Sequence, residues 1–532
     1  MLRKIHLLFF AVILSIAASP LALAAPKPDA LVMSIAKEQE EGYDPTTGWG
    51  RNGIPLFQST LLAYDENLNV VGDLATEYTL GEDRTVWNLK LRQDVKFTDG
   101  RPLTAEDVVY TFQAASASTA LIDLSVMESV AAKGEYEVEF KLKTPQITFI
   151  NHLIRMGIVP KHLHGPGYAR RPVGSGPFKF VEWNEGQQLI AERNEDYYGQ
   201  KPDFQRLVFL FMSEDAAFAA AKAGQLHVVA VPHGLARQDI PGMTLRRVKS
   251  VDNRGILFPM LPDSGLKSTN GFPIGNDVSS DPAIRQAINY GMNREALVDG
   301  ILYGHGSVAY GLVDGLPWDN KEIRFQDNDQ AKARQILKDG GWLDADHDGI
   351  VEKNGRKASM ELIYPASDQT RQRLALIVAD QIRPIGIELK PMGVPWDAIY
   401  NQYHFNSPVL YGWGDTTPEE LFKVYHSRTY DNAPDSTSFN PGRYSNPAVD
   451  RYLEEAEKAP GFEESLPLWR KAQWDGQTGP AVHGDAAWAW MVNLDHNYST
   501  VNDLDIGQSA IEPHGHGWPL LNNIVKWKWT GQ

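Results

Sequence analysis

The sequence predicts a mixed α/β protein in which helices cover β-sheets. Residues 87–91 alternate apolar and polar side chains with the period of two that marks a half-buried strand. Residues 281–292 and 330–337 instead carry apolar side chains at helical spacing. A chain of 532 residues is long enough for two or more domains, each with its own core. Strands and helices that alternate along such a chain indicate sheets packed against helices.

The predicted elements follow in chain order. Residues 31–37 form a buried first strand, 87–91 form the half-buried strand, and Asp99-Gly100 makes a tight turn. Thr104 caps a helix, because Thr104-Ala105-Glu106-Asp107 is close to a capping box and places two carboxylates in the first turn. Further helices are predicted at 281–292, 330–337 and 371–382, the last stopped by Pro384, and further strands at 361–364 and 387–390.

The amino terminus predicts export. Arg3 and Lys4 precede an almost wholly apolar run at 5–18, and Ala22-Leu23-Ala24 has the small-x-small pattern of a cleavage site. We therefore expect a signal peptide at residues 1–24. A membrane anchor is the alternative, but it needs roughly 18 uninterrupted apolar residues. The chain has no cysteine, so we expect neither a lipid anchor at a mature cysteine nor disulfides. An exported protein without a lipid anchor is expected in the periplasm.

Composition and motifs limit the function classes. With 51 basic and 67 acidic residues the formal charge is −16, which argues against a nucleic-acid partner. No GxSxG, HExxH or GxxxxGK[ST] motif occurs, and thiol catalysis needs a cysteine. We therefore expect no enzyme and no prosthetic group. A secreted hydrolase and a periplasmic chaperone are the alternatives from other classes.

Three blocks of sequence carry a family resemblance. Residues 87–109, residues 172–180 with 192–199, and residues 281–290 are similar to signatures of the family 5 extracellular solute-binding proteins, which include dipeptide, oligopeptide and nickel receptors. The resemblance implies a two-lobed type II periplasmic binding protein with an extra subdomain and a discontinuous first lobe. Such a receptor closes over its ligand by hinge motion. It also implies a monomer that delivers its cargo to ABC transporter permease subunits in the inner membrane.

The same resemblance sets the expected domain limits. Lobe I covers residues 25–255, with a subdomain at about 60–170, lobe II covers 256–475, and residues 476–532 return to lobe I. The chain crosses between lobes near 250–260 and 470–490, and the glycine-rich stretch 474–480 is a candidate for part of the second crossing.

The carboxyl-terminal run 511–520 resembles the end of a nickel-receptor subgroup, as do residues 47–50 and 55–60. Imidazole is a common ligand of nickel and similar divalent ions. We therefore expect the cargo to be nickel or a nickel chelate, with His514, His516 and His496 as the candidate metal ligands. Trp49 and Trp518 are candidates for contact with that cargo. Histidines at turns also donate to backbone carbonyls and pack on aromatic rings, so a structural role stays open.

Asp415 supports the alternative cargo, a di- or oligopeptide. Peptide receptors of this family hold the ligand's amino terminus with an aspartate that follows a Gly-Trp pair, and Trp413 and Asp415 match that pattern here. A desolvated carboxylate is a good partner for an ammonium group. Arg155 lies in the stretch where an arginine of the nickel receptors meets chelate carboxylates, and Arg51 is a weaker candidate of that kind. A capping aspartate and a surface arginine are the structural alternatives.

A separate acidic stretch, 344–352, opens with the DxDxDG pattern of calcium loops. The twelfth position is Gly355 rather than the glutamate that completes such a loop. We therefore expect a hairpin turn with an optional cation.

Overall fold

The structure is a computed structural model that describes residues 29–51, 53–118, 122–430, 439–515 and 518–531. The predicted signal peptide, residues 1–24, lies outside these described residues. Within them, no helix combines the length and the apolar character needed to cross a membrane.

The strands are numbered along the chain. They are β1 (Ala30–Ser34), β2 (Leu62–Tyr64), β3 (Val70–Gly72), β4 (Ala75–Leu80), β5 (Val86–Leu91), β6 (Met127–Gly134), β7 (Glu137–Leu142), β8 (Phe178–Asn184), β9 (Gln188–Arg193), β10 (Arg206–Leu210), β11 (Val228–Ala230), β12 (Met243–Val248), β13 (Asn253–Leu257), β14 (Gly306–Val308), β15 (Glu352–Lys353), β16 (Arg356–Lys357), β17 (Ser359–Pro365), β18 (Glu388–Val394), β19 (Val409–Tyr411), β20 (Trp488–Leu494), β21 (His496–Val501), β22 (Leu504–Asp505) and β23 (Lys528–Trp529).

The α-helices are α1 (Ala105–Ala117), α2 (Ile150–Arg155), α3 (Glu214–Lys222), α4 (Pro282–Gly291), α5 (Arg294–Ile301), α6 (Gln330–Asp339), α7 (Gln369–Ile382), α8 (Trp396–Asn401), α9 (Glu419–Tyr425), α10 (Pro447–Glu457) and α11 (Phe462–Gln473).

The first lobe is built on a seven-stranded sheet with the order β12-β21-β11-β1-β10-β9-β8. The sheet draws on both ends of the chain, because β1 pairs in parallel with β10 and β11, and β21 pairs antiparallel with β11 and β12. One face buries an aromatic core around Trp518, Trp527 and Phe178. The other face packs against α3. Apolar burial stabilises a fold by roughly 25 cal/mol per Å². The two cores therefore stabilise the packing of the sheet against the layers on both of its faces.

A subdomain follows the first strand of this lobe. Its four-stranded sheet has the order β4-β5-β7-β6, and α1 covers one face. Residues at alternate positions of β5 point into a core that includes Trp87, Leu89 and Phe112. The capping box predicted for α1 is present, with the Asp107 side chain accepting from Thr104 N–H at 3.0 Å.

The second lobe is built on a six-stranded sheet with the order β14-β20-β13-β19-β17-β18. The helices α4, α5, α6 and α7 pack on one face around Ile284, Ile288 and Leu374. On the other face, α9, α10 and α11 enclose a second core that includes Trp469. The sheet is therefore covered on both sides, which buries every residue of β13, β19 and β20.

The polypeptide passes between the two large sheets at two neighbouring places. Residues 249–252 lead from β12 into β13, and Asp495 links β20 to β21. The passages are hydrogen-bonded to each other, because Leu494 N–H donates to the Asp252 carbonyl at 2.8 Å and the Ser250 hydroxyl donates to the Leu494 carbonyl at 2.5 Å. Together they form a two-stranded connection between the lobes.

The second passage differs from the expected one. The sequence placed the return to lobe I at residue 476, whereas the chain stays in the six-stranded sheet through β20. The glycine-rich stretch 474–480 instead forms a turn inside the second lobe. There Asp475 N–H donates to the Thr478 carbonyl at 3.2 Å, and the Trp474 carbonyl accepts from the Asn320 amide at 2.8 Å.

The local predictions are confirmed closely. The expected strands at 31–37, 87–91, 361–364 and 387–390 correspond to β1, β5, β17 and β18, and the expected helices at 281–292, 330–337 and 371–382 correspond to α4, α6 and α7. Asp281 caps α4, as the Asp-Pro pair suggests, with its carboxylate accepting from Ala283 N–H at 2.9 Å.

Candidate functional site

A deep cleft separates the second lobe from the first lobe and its subdomain. It consists of two adjoining chambers of about 1150 Å³ and 1190 Å³. The first chamber lies between the subdomain and α9 and α10, and the second lies between the first lobe and the segments around α7 and β19. Arg51, Asp415, Lys423 and Phe439 line both chambers, so the chambers form one continuous cleft.

An ion pair between Arg155 and Asp415 spans the cleft where the chambers meet. Arg155 ends α2 of the subdomain, and Asp415 follows β19 of the second lobe. Arg155 Nη1 donates to Asp415 Oδ2 at 2.7 Å, and Nη2 contacts the other carboxylate oxygen, so the pair is bidentate. Beside it, Asn151 donates to the Thr417 hydroxyl at 2.7 Å. The structure thus brings together two side chains that the sequence predicted as separate ligand contacts.

Burial and charge act against each other in this pair. Burial opposes ionisation of Asp415, but the neighbouring Arg155 charge and its hydrogen bonds hold the pKa of that carboxyl below its ordinary value. Burial likewise opposes the charge of Arg155, and Asp415 raises its pKa. Both groups are therefore charged at neutral pH. A ligand ammonium group can take the place of Arg155 beside Asp415, and a ligand carboxylate can take the place of Asp415 beside Arg155. Each charge-assisted hydrogen bond that the ligand breaks is then replaced by another of the same kind.

The predicted aromatic contacts divide between the cleft and the core. Trp413 lines the second chamber, where its ring stacks on Tyr411 with centroids 6.1 Å apart. Trp49 is buried and lines the first chamber. Trp518 was expected to contact the ligand, but it is only 2% exposed and lies in the core of the first lobe, stacked on Phe209 at 4.2 Å. Its ring packs edge-on beneath Trp49 at 5.1 Å, so it supports the cleft wall from behind.

The candidate metal ligand His496 does not fit its predicted role. Its Nδ1 lies 2.5 Å from Glu512 Oε2 and its Nε2 lies 3.4 Å from Asp252 Oδ2. Burial alone would lower the pKa of the imidazole, but hydrogen bonds and charges from these two carboxylates raise it to about 10. Both ring nitrogens of His496 thus face carboxylates, which favour the protonated form of the ring. It stabilises the connection between the lobes instead.

His514 lies at the cleft, and His516 lies outside the described residues. The His514 ring lines the second chamber and its Nδ1 contacts Asp252 Oδ1. Its backbone N–H donates to the Gly414 carbonyl at 2.8 Å, which holds the carboxyl-terminal segment against the loop that carries Asp415. A carboxylate at Nδ1 is the arrangement that orients many metal-binding histidines, so His514 keeps its candidacy.

A contact deep in the first chamber was not predicted from the sequence. Thr148 Oγ1 of the subdomain lies 2.7 Å from each carboxyl oxygen of Glu457, which ends α10 of the second lobe. Burial, and then the charge of Glu419, raise the pKa of Glu457 to about 8. A glutamate near the end of an amphipathic helix gives no local sequence signal, because only the tertiary fold buries it.

The second chamber also holds two arginines that were not predicted from the sequence, Arg254 of β13 and Arg371 of α7. Arg371 was assigned to a helix without a role in binding, and nothing in the local pattern places it beside Arg254.

The acidic stretch 344–352 forms the expected turn, closed by a bridge between Leu343 and Glu352. The carboxylates of Asp344, Asp346 and Asp348 have oxygens within 4.8 Å of one another. The Lys357 ammonium contacts the last two, at 2.7 Å from Asp346. The Lys357 ammonium therefore offsets the negative charge of these aspartates, as a bound metal cation would.

Residues 69–446 match the family described as bacterial extracellular solute-binding proteins, family 5. The chain is 30% identical to the oligopeptide-binding protein AppA of Bacillus subtilis over 426 residues, which is 75% of each chain. It is 26% identical to the nickel-binding periplasmic protein of Escherichia coli over 358 residues, covering 65% of this chain and 67% of that one.

A solved structure is similar over nearly the whole chain. It is NikZ from Campylobacter jejuni in complex with Ni(L-His), with a TM-score of 0.79 and 24% identity, and the alignment covers 95% of this chain and 100% of the other. At this level of identity the likeness concerns the fold.

Proposed function

The chain belongs to the bacterial extracellular solute-binding proteins of family 5, the substrate-binding proteins of ABC transporters, and we propose that its cargo is a short peptide. Its fold is the two-lobed type II periplasmic binding protein fold with an extra subdomain. Proteins of this family bind solutes for permeases and are not enzymes.

The observation that carries the proposal is the position of the Asp415–Arg155 pair. It lies where the two chambers meet, so that a ligand end placed there has room on both sides. In a peptide complex, Asp415 accepts a hydrogen bond from the terminal ammonium group of the peptide. Arg155 then donates to a main-chain carbonyl or an acidic side chain of the peptide. Chambers of about 1150 Å³ and 1190 Å³ exceed the roughly 300–1000 Å³ of small-molecule pockets. That space suits the varied side chains of peptides. The 30% identity to a relative named oligopeptide-binding protein agrees with this choice.

A nickel chelate is the second candidate, and one observation favours it. His514 lines the same chamber as Asp415, with its Nδ1 oriented by Asp252. A chelate such as nickel–histidine would take an imidazole from His514 and meet Arg155 with a carboxylate. His496 takes no part in this alternative, because both of its nitrogens face carboxylates.

We also propose the cellular setting. The predicted signal peptide and the family membership support a periplasmic receptor that acts as a monomer and passes its cargo to inner-membrane permease subunits.

Isothermal titration calorimetry on protein refolded to remove copurified cargo tests the choice of ligand. The ligands are alanine peptides of two to five residues, nickel alone, and nickel with histidine. We expect peptide binding that Asp415→Asn weakens by about 10- to 100-fold, because a buried charged hydrogen bond contributes roughly 1.5–3 kcal/mol. His514→Ala leaves this binding unchanged.

Asp380→Asn, an exposed acid at the far end of α7, is the matched control and keeps wild-type affinity. Nickel–histidine binding that is lost in His514→Ala but kept in Asp415→Asn would replace the peptide proposal with the chelate.

A further inference from the structure

One ridge of the subdomain contacts the second lobe at successive helical turns. Thr148, Asn151 and Arg155 are spaced by three and four residues, so they lie on one face of the helical segment that ends with α2. Each contacts a different side chain of the second lobe, respectively Glu457, Thr417 and Asp415. Hinge opening of the cleft separates the subdomain from the second lobe and breaks all three contacts. Closure of the cleft therefore also depends on contacts between the lobes themselves.

The contact between Thr148 and Glu457 fits a protonated carboxyl group. Thr148 Oγ1 lies 2.7 Å from both carboxyl oxygens, and Thr148 N–H donates to Oε2 at 3.3 Å. A hydroxyl group has one hydrogen, which serves one of the two short contacts. A proton on Oε1 serves the other, because Oγ1 accepts as well as donates. The Gln146 amide donates to the same Oγ1 at 3.2 Å, so both lone pairs of Oγ1 are then used.

Within the part of the chain that the structure describes, Glu457 forms no ion pair. It is only 8% exposed, and the lysines on α9 and just after α10 pair with other acids. Lys423 contacts Glu419 at 3.2 Å, and Lys458 contacts Glu454 at 3.7 Å. A buried carboxylate without a cation is costly, whereas the protonated group is neutral. Burial against Thr148 therefore favours the protonated form.

Charged and titratable groups face Glu457 from both sides of the first chamber. Burial first, and then the charge of Glu419, raise the pKa of Glu457 to about 8, while the Thr148 hydrogen bonds and the Arg428 charge lower it. The chamber is also lined by titratable side chains of α9 and the subdomain, namely Lys423, Asp123, Lys143 and His152. The balance of these effects leaves the Glu457 carboxyl group protonated at neutral pH when the lobes are in contact.

We propose that closure of the two lobes over a ligand takes up one proton, which Glu457 holds against Thr148. This regulation of the cleft rests on the proposed receptor function, although not on which cargo the cleft binds. When the lobes part, the carboxyl group meets water and regains its ordinary pKa of 4.5. Between pH 4.5 and about 8 the open form has therefore lost a proton that the closed form keeps. Ligand affinity is highest below this window and falls as pH rises through it.

Calorimetry at about pH 6.5, in two buffers of different ionisation enthalpy, measures the protons taken up on binding. The probe is trialanine, whose terminal groups both stay charged at this pH. We expect wild type to take up about one proton per ligand bound, and Glu457→Gln about one fewer, because glutamine resembles the protonated acid. From about pH 5.5 to about pH 6.5 the affinity of wild type should fall about 10-fold, while that of Glu457→Gln stays level.

Glu455→Gln is the matched control, because Glu455 is an exposed acid on the same helix that pairs with Arg451 at 3.9 Å. It keeps the proton uptake of wild type. Burial also raises the pKa of Glu420 to about 7, but Glu420 is present in every chain compared, so the difference isolates Glu457. A purely structural role of Glu457 would change the affinity of Glu457→Gln by the same factor at every pH and leave proton uptake as in wild type, which would overturn the proposal.

The outcomes separate proton uptake from the choice of cargo. If trialanine does not bind but nickel–histidine does, the peptide proposal fails and nickel–histidine becomes the probe. Protons exchanged by the chelate itself cancel between wild type and Glu457→Gln, so a difference of about one proton supports uptake at Glu457 and no difference overturns it. With trialanine, an uptake near zero in the unaltered chain overturns the proposal even where Glu457→Gln does not fold.

Discussion

At the scale of single residues, Glu457 in the first chamber has surroundings that determine its protonation. It is a carboxyl group enclosed between the subdomain and the second lobe, with Thr148 as its hydrogen-bond partner. With a pKa of about 8 it is protonated at neutral pH. The contact across the first chamber is therefore a neutral one that needs no counter-charge.

This protonation predicts a pH-dependent stability. Between pH 4.5 and about 8 the folded chain keeps a proton on Glu457 that the unfolded chain has lost, so the free energy of unfolding falls as pH rises through this window. Glu457→Gln removes that fall. Urea unfolding should show both proteins equally stable near pH 4.5, and the variant more stable by roughly 1–4 kcal/mol at pH 8.

Glu455→Gln, an exposed change on the same helix, serves as the control and follows the wild-type curve. A difference between Glu457→Gln and wild type that stays constant from pH 4.5 to 8 would contradict the protonated state.

The residue types of the site were largely predictable, but their partners were not. Asp415, Arg155 and Trp413 were predicted from the sequence and line the cleft. Their sequence context does not reveal that the first two neutralise each other, because they come from different lobes. The sequence likewise did not reveal which carboxylates lie at the two ring nitrogens of His496, namely Glu512 and Asp252.

At the scale of elements, β13 and β20 show how the six-stranded sheet accommodates two large rings. Trp488 and Trp490 of β20 stack at 4.4 Å with nearly parallel planes. Trp490 is fixed further by donating to the Tyr425 hydroxyl at 3.0 Å. Opposite it on β13 lies Gly255, where a Cβ would come within 2.6 Å of the Trp490 ring. The absent side chain makes room for the ring.

We therefore expect Gly255→Ala to destabilise the second lobe by about 1–3 kcal/mol through overpacking. Chemical unfolding followed by tryptophan fluorescence measures the change. Gly300→Ala in α5 is the control, because nothing lies within 4 Å of its added Cβ, and it should leave stability unchanged or raise it by up to about 1 kcal/mol. Equal stability of Gly255→Ala and wild type would show that the ring moves without cost.

Elements with strong local signals were predicted well. Caps such as Thr104 and Asp281, together with regular periodicity, locate α1 and α4 within a residue or two. The order of strands within each sheet was not predictable, since β13 pairs with β19 and β20 from distant parts of the chain. The misplaced crossing at 474–480 has this origin, because a glycine-rich turn looks the same inside a lobe as between lobes.

At the scale of the whole molecule, the first lobe depends on a strand from the far end of the chain. β21 lies inside the seven-stranded sheet, between β12 and β11. The second lobe, by contrast, draws its sheet from residues 253–494 alone. The two-lobed arrangement itself was predicted from family resemblance and not from local patterns, which carry no information about such distant pairing.

In a chain that ends at Asp495, we expect the first lobe to lose stability while the second lobe stays folded. We expect β1 and β10 to lose protection from amide hydrogen exchange, because the first-lobe sheet lacks an internal strand, while β13, β17 and β20 stay protected. Exchange measured by mass spectrometry on the full and shortened chains checks this. Retained protection of β1 in the shortened chain would mean that the sheet is stable without β21.

The position of β21 also orders events in time. A polypeptide is made from its amino terminus, so the early strands of the first lobe emerge long before the strand that completes their sheet. Residues 253–494 can close their own sheet first, while the amino-terminal strands wait with unpaired edges for the final segment. The first lobe therefore cannot complete its sheet during translation, and it does so only when the whole polypeptide has been made.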